Sequence, residues 1–254
     1  GLGVRRLGTA LLYRVSEGVA RRGHPRLVSR GKRTIHVFMS RSRAKELAHA
    51  AAESGSPNAW FEQLYREAEG NTHAIPWADL RPNEKLVQWL STRSVDARGR
   101  SACVVGAGLG DDAEALAALG FRVTAFDLSE TAIQWAKDRF PETTVKYEVA
   151  DLLRVSSTYP EGFDLVFEAY TIQSMPLSLR EAALLALCGL VRKQGTLVVI
   201  ARSRPNGSIP AGPPWPLSSE ELAPLDAQLT RRTFEEYFES NDPDVPRILA
   251  EYRR

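Results

Sequence analysis

The sequence predicts an α/β fold of the doubly wound type, in which the strands of a mostly parallel sheet alternate with helices. Residues 101–120 (SACVVGAGLGDDAEALAALG) join a short apolar run, a glycine-rich turn and an alanine-rich helical pattern, which indicates strand, loop and helix in that order. Residues 122–127 (RVTAFD) then read as a second strand that ends in an acid, about 20 residues after the first glycine. A carboxylate at that spacing is typical of a nucleotide site that binds ribose hydroxyls.

The same alternation extends along the chain. Helical patterns cover residues 42–53, 60–70, 83–90 and 131–139, with Ser129 as the expected N-cap of the last of these. A Ser178/Glu181 capping box predicts a helix to Val191 that is ended by Gln194-Gly195, and Ser218 with Glu221 forms a second box. Strand patterns cover residues 144–150, 163–172, 196–202, 228–239 and 248–254.

The glycine-rich turn distinguishes between two kinds of ligand. A dinucleotide fingerprint, G-x-G-x-x-G, needs glycine at position 111, and this sequence has Asp111 there, followed by Asp112. Two carboxylates at a helix start repel a phosphate group. The sequence therefore favours a cationic or zwitterionic nucleoside over a dinucleotide.

Two strings in this region resemble the first two motifs of class I S-adenosylmethionine-dependent methyltransferases. They are VVGAGLG at residues 104–110 and AFDLS at residues 125–129. The longer string AFDLSETAIQWAKDRFP, residues 125–141, is close to the thiopurine-methyltransferase and tellurite-resistance branch of that family. The resemblance covers roughly residues 60–254. It implies a seven-stranded Rossmann-like methyltransferase sheet, mostly parallel with a C-terminal antiparallel hairpin, and helices on both faces.

The resemblance also implies which residues bind the cofactor, S-adenosylmethionine, and its product S-adenosylhomocysteine. The glycine loop wraps the methionine part, the end of the second strand holds the ribose, and the end of the third strand borders the adenine. The residues assigned in this way are Gly106, Ala107, Gly108 and Gly110 in the loop, Asp127, Leu128 and Ser129 at the ribose, and Asp151 and Leu152 at the adenine. The alternative for Asp151 is that its carboxylate only caps the turn that follows it.

The acceptor side is predicted from strand ends and loop aromatics. Glu168, Tyr170 and Gln173 lie at the carboxyl end of the fourth strand, where open α/β sheets bind ligands. Glu168 is either a cofactor or acceptor ligand or a carboxylate satisfied by backbone amides or an arginine. Trp77 is either packing or an aromatic face for the sulfonium cation. The loop at residues 203–216 resembles the Pro-Trp-Pro-Leu segment of the same branch, which implies that Trp215 forms one wall of the substrate site. If the acceptor is a hydroxyl or amine, Glu168, Tyr170 and His73 are the candidates to take its proton.

Composition limits the class of protein. Of 254 residues, 43% are hydrophobic and 25% charged, which is ordinary for a globular domain. Residues 1–38 carry nine Lys/Arg against one acid, and the rest carries 24 against 30, so a basic stripe for nucleic acid is missing from the enzyme-like part. The two cysteines, Cys103 and Cys188, indicate buried thiols in a reducing, cytoplasmic setting and no metal site. No apolar run reaches membrane-spanning length.

Three segments follow from these observations: a basic arm at residues 1–38, a helical lid at 39–93 implied by the resemblance, and a cofactor-binding domain at 94–254. The arm fits a surface that binds RNA or anions, a targeting segment, or sequence outside the functional protein. We expect a monomer or homodimer that methylates a small molecule, with thiols or other chalcogens as the favoured acceptors. The alternatives are a nucleic-acid methyltransferase anchored by the arm, an NAD(P)-dependent oxidoreductase, and a non-catalytic module that binds the cofactor.

Overall fold

The structure, a computed structural model, describes residues 30–93, 95–210 and 212–254, without the side chains of 30–40, 52 and 156. The predicted arm at residues 1–38 therefore lies mostly outside the described residues. Within them, no helix is both long enough and apolar enough to cross a membrane. The helices are α1 (Arg30–Glu53), α2 (Trp60–Glu67), α3 (Glu84–Thr92), α4 (Asp111–Ala118), α5 (Glu130–Arg139), α6 (Leu152–Val155), α7 (Leu177–Leu190) and α8 (Ala223–Gln228). Short 3₁₀ helices cover Thr72–Ala74, Ser156–Thr158, Ile172–Ser174 and Glu220–Leu222.

Seven strands form one sheet. They are β1 (Ser101–Val105), β2 (Arg122–Asp127), β3 (Lys146–Val149), β4 (Phe163–Ala169), β5 (Val191–Arg202), β6 (Thr230–Glu239) and β7 (Asp242–Arg253), in the order β3-β2-β1-β4-β5-β7-β6. Strands β2 and β3, β1 and β4, and β4 and β5 pair in parallel, whereas β7 pairs antiparallel with β5 and β6. This arrangement confirms the predicted mostly parallel sheet with a closing antiparallel pair.

The chain divides into two compact units. The first unit comprises the described residues up to Gly99 together with Ala107–Val149, and the second comprises Arg100–Gly106 and Ala150–Arg254. In the first unit, apolar side chains of α1 and α2 form a buried cluster with Leu109 and Ala132. In the second unit, most of β4 and residues 195–201 of β5 are buried, as expected for central strands flanked on both sides.

Several predicted boundaries are wrong. Helix α1 begins at Arg30, well before residue 42. Strand β4 ends at Ala169, and residues 172–174 form a 3₁₀ helix. Helix α7 starts at Leu177 after Pro176, without a side-chain cap, so the Ser178/Glu181 box does not form the helix start. The helix then ends at Leu190, and Gln194-Gly195 lies inside β5 instead of ending the helix.

Strand β7 also starts earlier than predicted, at Asp242 and not at Ile248, in spite of Pro243 and Pro246. The reason is its position in the sheet. The pairing of β7 with β5 reaches only to Arg247, so residues 242–246 extend past the end of β5. Asp242 pairs with Glu239 of β6, and the carbonyl of Pro246 accepts the N–H of Ser203 after β5. Proline is tolerated there because a strand edge has no partner waiting for its missing N–H.

Candidate cofactor and acceptor sites

The loop between β1 and α4 has the backbone geometry that only glycine adopts readily. Gly106, Gly108 and Gly110 have φ angles of 66°, 51° and 90°. A Cβ atom at Gly106 would lie 2.0 Å from Thr171 Oγ1, and one at Gly110 would lie 2.3 Å from the Tyr147 hydroxyl. Both positions therefore exclude a side chain for two reasons, the backbone angle and the space available.

Asp127, the last residue of β2, is fixed by backbone amides on both sides of its carboxylate. Oδ2 accepts the N–H of Gly108 at 2.9 Å, and Oδ1 accepts the N–H of Ser129 at 2.9 Å. Burial raises the pKa of Asp127, and the hydrogen bonds from Ser129 and Gly108 oppose that shift. The carboxylate is half-buried and Leu128 beside it is 38% exposed. Since each carboxylate oxygen has more than one lone-pair direction, Asp127 retains the capacity to accept hydrogen bonds from a ligand.

Ser129 caps helix α5 as the sequence predicted. Its hydroxyl oxygen accepts the N–H of Ala132 at 3.0 Å, and the residue is completely buried. The same hydroxyl donates to Glu62 on α2 at 2.7 Å. Glu62 also accepts from the backbone N–H and the hydroxyl of Thr131, at 3.1 and 2.7 Å. Sequence reasoning missed Glu62, because an acid on an amphipathic helix carries no local signal of a partner far along the chain.

The two acids that follow the glycine loop are not free to meet a ligand. Asp111 forms a two-pronged ion pair with Arg139, with both N–O distances at 2.8 Å. Asp112 accepts the backbone N–H of Asn83 at 2.6 Å, and burial raises its pKa to about 7. The expected repulsion of a phosphate by this pair is therefore weakened, since Arg139 pairs with the charge of Asp111 and burial favours the neutral form of Asp112. The absence of glycine at position 111 still disfavours a dinucleotide.

Trp77 lies in an aromatic cluster of the first unit. Its indole N–H donates to the Tyr65 hydroxyl at 2.9 Å, and its ring meets those of Trp60 and Tyr65 edge to face. Trp77 is 39% exposed, whereas Trp60 and Tyr65 are buried. The Trp77 ring therefore packs against Trp60 and Tyr65 on one part and is accessible to a ligand on the other. His73 is half-buried in the adjacent 3₁₀ helix, where its backbone N–H donates to Asn71.

Asp151 and Leu152 lie where β3 passes into α6. The Oδ1 atom of Asp151 accepts the N–H of Leu153 at 2.9 Å, so this carboxylate caps a turn, and Leu152 is buried. The turn cap was one of the two interpretations that the sequence left open. The adenine role of both residues stays a prediction.

Glu168 in the second unit is fully buried. Its Oε1 accepts the N–H groups of Thr171 and Ile172 at 2.6 and 3.0 Å, and its Oε2 has no hydrogen-bond partner among the described residues. Burial raises the pKa of Glu168 to about 7, although the two backbone hydrogen bonds and the charge of Arg180 act in the opposite direction. The sequence analysis gave a carboxylate bound by backbone amides as one interpretation of Glu168, and this interpretation holds for Oε1.

Tyr170 has a φ angle of 64°, which is uncommon for a residue with a side chain. Its hydroxyl donates to Glu239 of β6 at 3.0 Å, and burial raises its pKa to about 12. A phenol with that pKa keeps its proton near neutrality, so it acts there as a hydrogen-bond donor and not as a base.

Gln173 and Trp215 join the loop after β5 to the end of β4. Gln173 is buried, its side-chain oxygen accepts the N–H of Arg202 at 2.6 Å, and its carbonyl accepts the N–H of Trp215 at 2.6 Å. The carbonyl of Trp215 accepts from Arg180 at 2.7 Å, and Arg180 also pairs with Glu221. Both predicted substrate residues thus have structural bonds, and their contact with an acceptor stays a prediction.

A family model and one curated relative match the middle of the chain. Residues 103–195 match the family described as "Methyltransferase domain". A curated relative, the ubiquinone biosynthesis O-methyltransferase of Thiobacillus denitrificans (strain ATCC 25259 / T1), is 29% identical over 136 residues, which are 53% of this chain and 56% of that protein. The chain therefore spans about half the length of the curated relative that it matches.

Solved structures share the fold. The N-methyltransferase NodS of Bradyrhizobium japonicum WM9, in complex with S-adenosyl-L-homocysteine, has a TM-score of 0.58 at 20% identity, over 76% of this chain and 97% of that chain. A structure titled for the conversion of a disulfide bond into a thioacetal group during echinomycin biosynthesis has a TM-score of 0.63 at 22% identity, over 78% and 92% of the two chains. The family match thus covers residues 103–195, and the solved structures share the fold of the larger part of the chain.

Proposed function

We propose that this chain transfers the methyl group of S-adenosylmethionine to a small-molecule nucleophile. The observation that carries the proposal is Asp127, a half-buried carboxylate that is fixed by the glycine loop through the N–H of Gly108 and lies at the end of β2. The three glycines of the loop beside it admit the close approach of a ligand to the backbone. These residues fit a nucleoside with two ribose hydroxyls and a positively charged sulfur.

The protein's own contribution is binding and alignment. S-adenosylmethionine, when bound, supplies an electrophilic methyl group on a sulfonium. Asp127 accepts hydrogen bonds from the ribose hydroxyls, and the loop 106–110 supports the methionine part. Alignment of an incoming lone pair and exclusion of water lower the barrier without a strong base. Among the described residues, no group of three or more His, Cys, Asp or Glu side chains is placed to hold a metal ion.

The acceptor is a thiol, another chalcogen or a hydroxyl. The likeness of residues 125–141 to the thiopurine and tellurite-resistance branch supports a soft nucleophile, which needs the least activation. The name of the Thiobacillus relative supports a hydroxyl acceptor. For a hydroxyl, Glu168 is the best candidate to take the proton, because its pKa of about 7 is near the optimum for a general base.

Two experiments test this function. S-adenosylhomocysteine should raise the melting temperature of the purified chain and NAD should not, because only a ligand that binds the folded state stabilises it. A shift with NAD and none with S-adenosylhomocysteine contradicts the proposal and supports an oxidoreductase. Methyl transfer from labelled cofactor should then be screened against thiols, catechols, phenols and amines. Transfer to RNA or DNA alone would overturn the small-molecule assignment.

A further inference from the structure

Glu62 connects helix α2 to the segment that contains Asp127. Its carboxylate accepts three hydrogen bonds, from the Ser129 hydroxyl and from the backbone N–H and hydroxyl of Thr131. These donors lie at the first turn of α5, where a negative charge also interacts favourably with the helix dipole. Glu62 therefore caps α5 from a different helix, 67 residues away in sequence from Ser129.

The bonds continue from Glu62 to Asp127. Ser129 donates its hydroxyl to Glu62 and its backbone N–H to Asp127 Oδ1, and both distances are below 3 Å. The orientation of the Asp127 carboxylate depends on two amides, and the position of one of them is thus set from α2. The pKa of Glu62 is lowered, since the hydrogen bonds from Thr131 and Ser129 outweigh the effect of burial, so the carboxylate stays ionised near neutrality.

Apolar packing brings α2 to the same place. Trp60, Leu64 and Tyr65 of α2 share one buried cluster with Leu109 of the glycine loop and Ala132 of α5. Packing of this kind fixes proximity but leaves small rotations open, whereas three directed hydrogen bonds to one carboxylate fix orientation. Glu62 supplies the directional part of the contact.

We propose that Glu62 is a positioning residue of the cofactor site, which holds residues 127–131 from helix α2 and so keeps the Asp127 carboxylate oriented toward the ribose hydroxyls. This inference rests on the proposed function, because it assigns Glu62 a role in binding the same cofactor.

The test compares Glu62→Ala with Glu67→Ala. Glu67 lies on the same helix and forms an ion pair with Arg43, so its replacement removes a similar charge and contact without touching residues 127–131. Calorimetric titration should show that Glu62→Ala weakens S-adenosylhomocysteine binding by about tenfold, as expected for the loss of roughly 1.4 kcal/mol of binding free energy. Glu67→Ala should stay within about twofold of wild type.

Kinetics separate positioning from a general loss of structure. For Glu62→Ala the KM for the cofactor should rise by about tenfold, whereas kcat at saturating cofactor should stay within about twofold. A merely structural role would reduce the active fraction and so lower kcat with KM unchanged. That result, or an unchanged affinity in Glu62→Ala, would overturn the inference.

A second variant provides a test if Glu62→Ala does not fold. Thr131→Val removes one of the three donors, and it should raise the Kd of S-adenosylhomocysteine by about threefold. In the double variant the two effects should be less than additive, because both changes break the same contact. Fully additive effects, or a Thr131→Val variant with wild-type affinity, contradict the inference. Failure of the proposed function is distinguishable, since the wild-type chain then would not bind the cofactor product at all.

Discussion

Asp127 at the end of β2 in the first unit and Glu168 near the end of β4 in the second unit are held in different ways. Both accept two backbone N–H groups, and burial raises the pKa of both. In Asp127 the two amides are divided between the two oxygens, and the side chain is half-buried. In Glu168 both amides bind one oxygen, the other has no partner among the described residues, and the side chain is fully buried. The first arrangement presents a fixed carboxylate to a ligand, and the second caps a turn inside the protein.

The acids around these two carboxylates are also bound in different ways. Near Asp127, the carboxylate of Glu62 is bound by hydroxyls and a backbone amide, with its charge still present. In the second unit, Glu221 bridges two arginines, Arg180 and Arg204, and also accepts the N–H of Ser218. The buried charge of Arg180 is thus paired, and the pair helps to hold the loop after β5. We therefore expect substitutions near Asp127 to affect binding, and substitution of Glu221 to affect stability.

Glu221→Ala tests the stability half of this comparison and should have the largest effect. The side chain of Arg180 is 4% exposed, and removal of Glu221 leaves its guanidinium without a carboxylate. The free energy of unfolding should fall by about 3 kcal/mol, with cofactor affinity unchanged. Urea denaturation of this variant and of Glu220→Ala, an exposed neighbour, gives the measurement and its control. A large loss of cofactor affinity without loss of stability would reverse the assignment.

Asp127→Ala tests the binding half. Loss of hydrogen bonds from a carboxylate to two ribose hydroxyls should weaken S-adenosylhomocysteine binding by about 100-fold, or ~2.7 kcal/mol. Isothermal titration should show this loss, and Asp138→Ala, an exposed acid on α5, should bind as wild type. If Asp127→Ala binds with full affinity, Asp127 does not bind the ribose hydroxyls.

Glu168→Gln sharpens the comparison through its pH dependence and should have the smallest effect. A carboxyl whose pKa is raised to about 7 from 4.5 stays protonated in the folded protein while it ionises in the unfolded chain. Its contribution to stability is therefore present below pH 4.5 and is lost as pH rises to about 7. Glutamine resembles the neutral carboxyl, so the variant should gain about 2 kcal/mol relative to wild type between pH 4.5 and 7.5.

Melting curves of wild type and Glu168→Gln across this range measure the difference. The ionisation of Asp112, whose pKa is also about 7, is common to both proteins and cancels. Glu181→Gln, an exposed acid on α7, should show no such trend. A pH-independent difference would mean that Glu168 ionises as freely in the folded state as in the unfolded one.

Local signals in the sequence were sufficient for the features that local chemistry creates. The three glycines, Asp127 and the Ser129 cap were predicted because turn geometry, spacing and capping depend on neighbours in the chain. The predicted start of α7 was wrong because Pro176 occupies the N-cap position and Ser178 lies inside the helix. A Ser-x-x-Glu pattern is compatible with a helix start, but it does not by itself show that the helix begins at that serine.

Features that depend on distant residues could not be predicted from the sequence. The early start of β7 depends on where β5 ends, and the partners of Glu62 and Glu221 come from other elements. Tyr170 illustrates the same limit. The sequence placed it inside a strand over residues 163–172, but β4 ends one residue before it, and its hydroxyl reaches Glu239 on β6, which no pattern near Tyr170 indicates.

The close approach of Gly106 to Thr171 makes the two positions interdependent in any redesign of the chain. An alanine at 106 would place its methyl carbon 2.0 Å from the Thr171 hydroxyl, so Thr171 would have to be shortened first. Even then, the φ angle of 66° at position 106 would penalise every residue that has a side chain. Glycine at 106 is therefore the residue that a designer of new acceptor specificity should leave untouched.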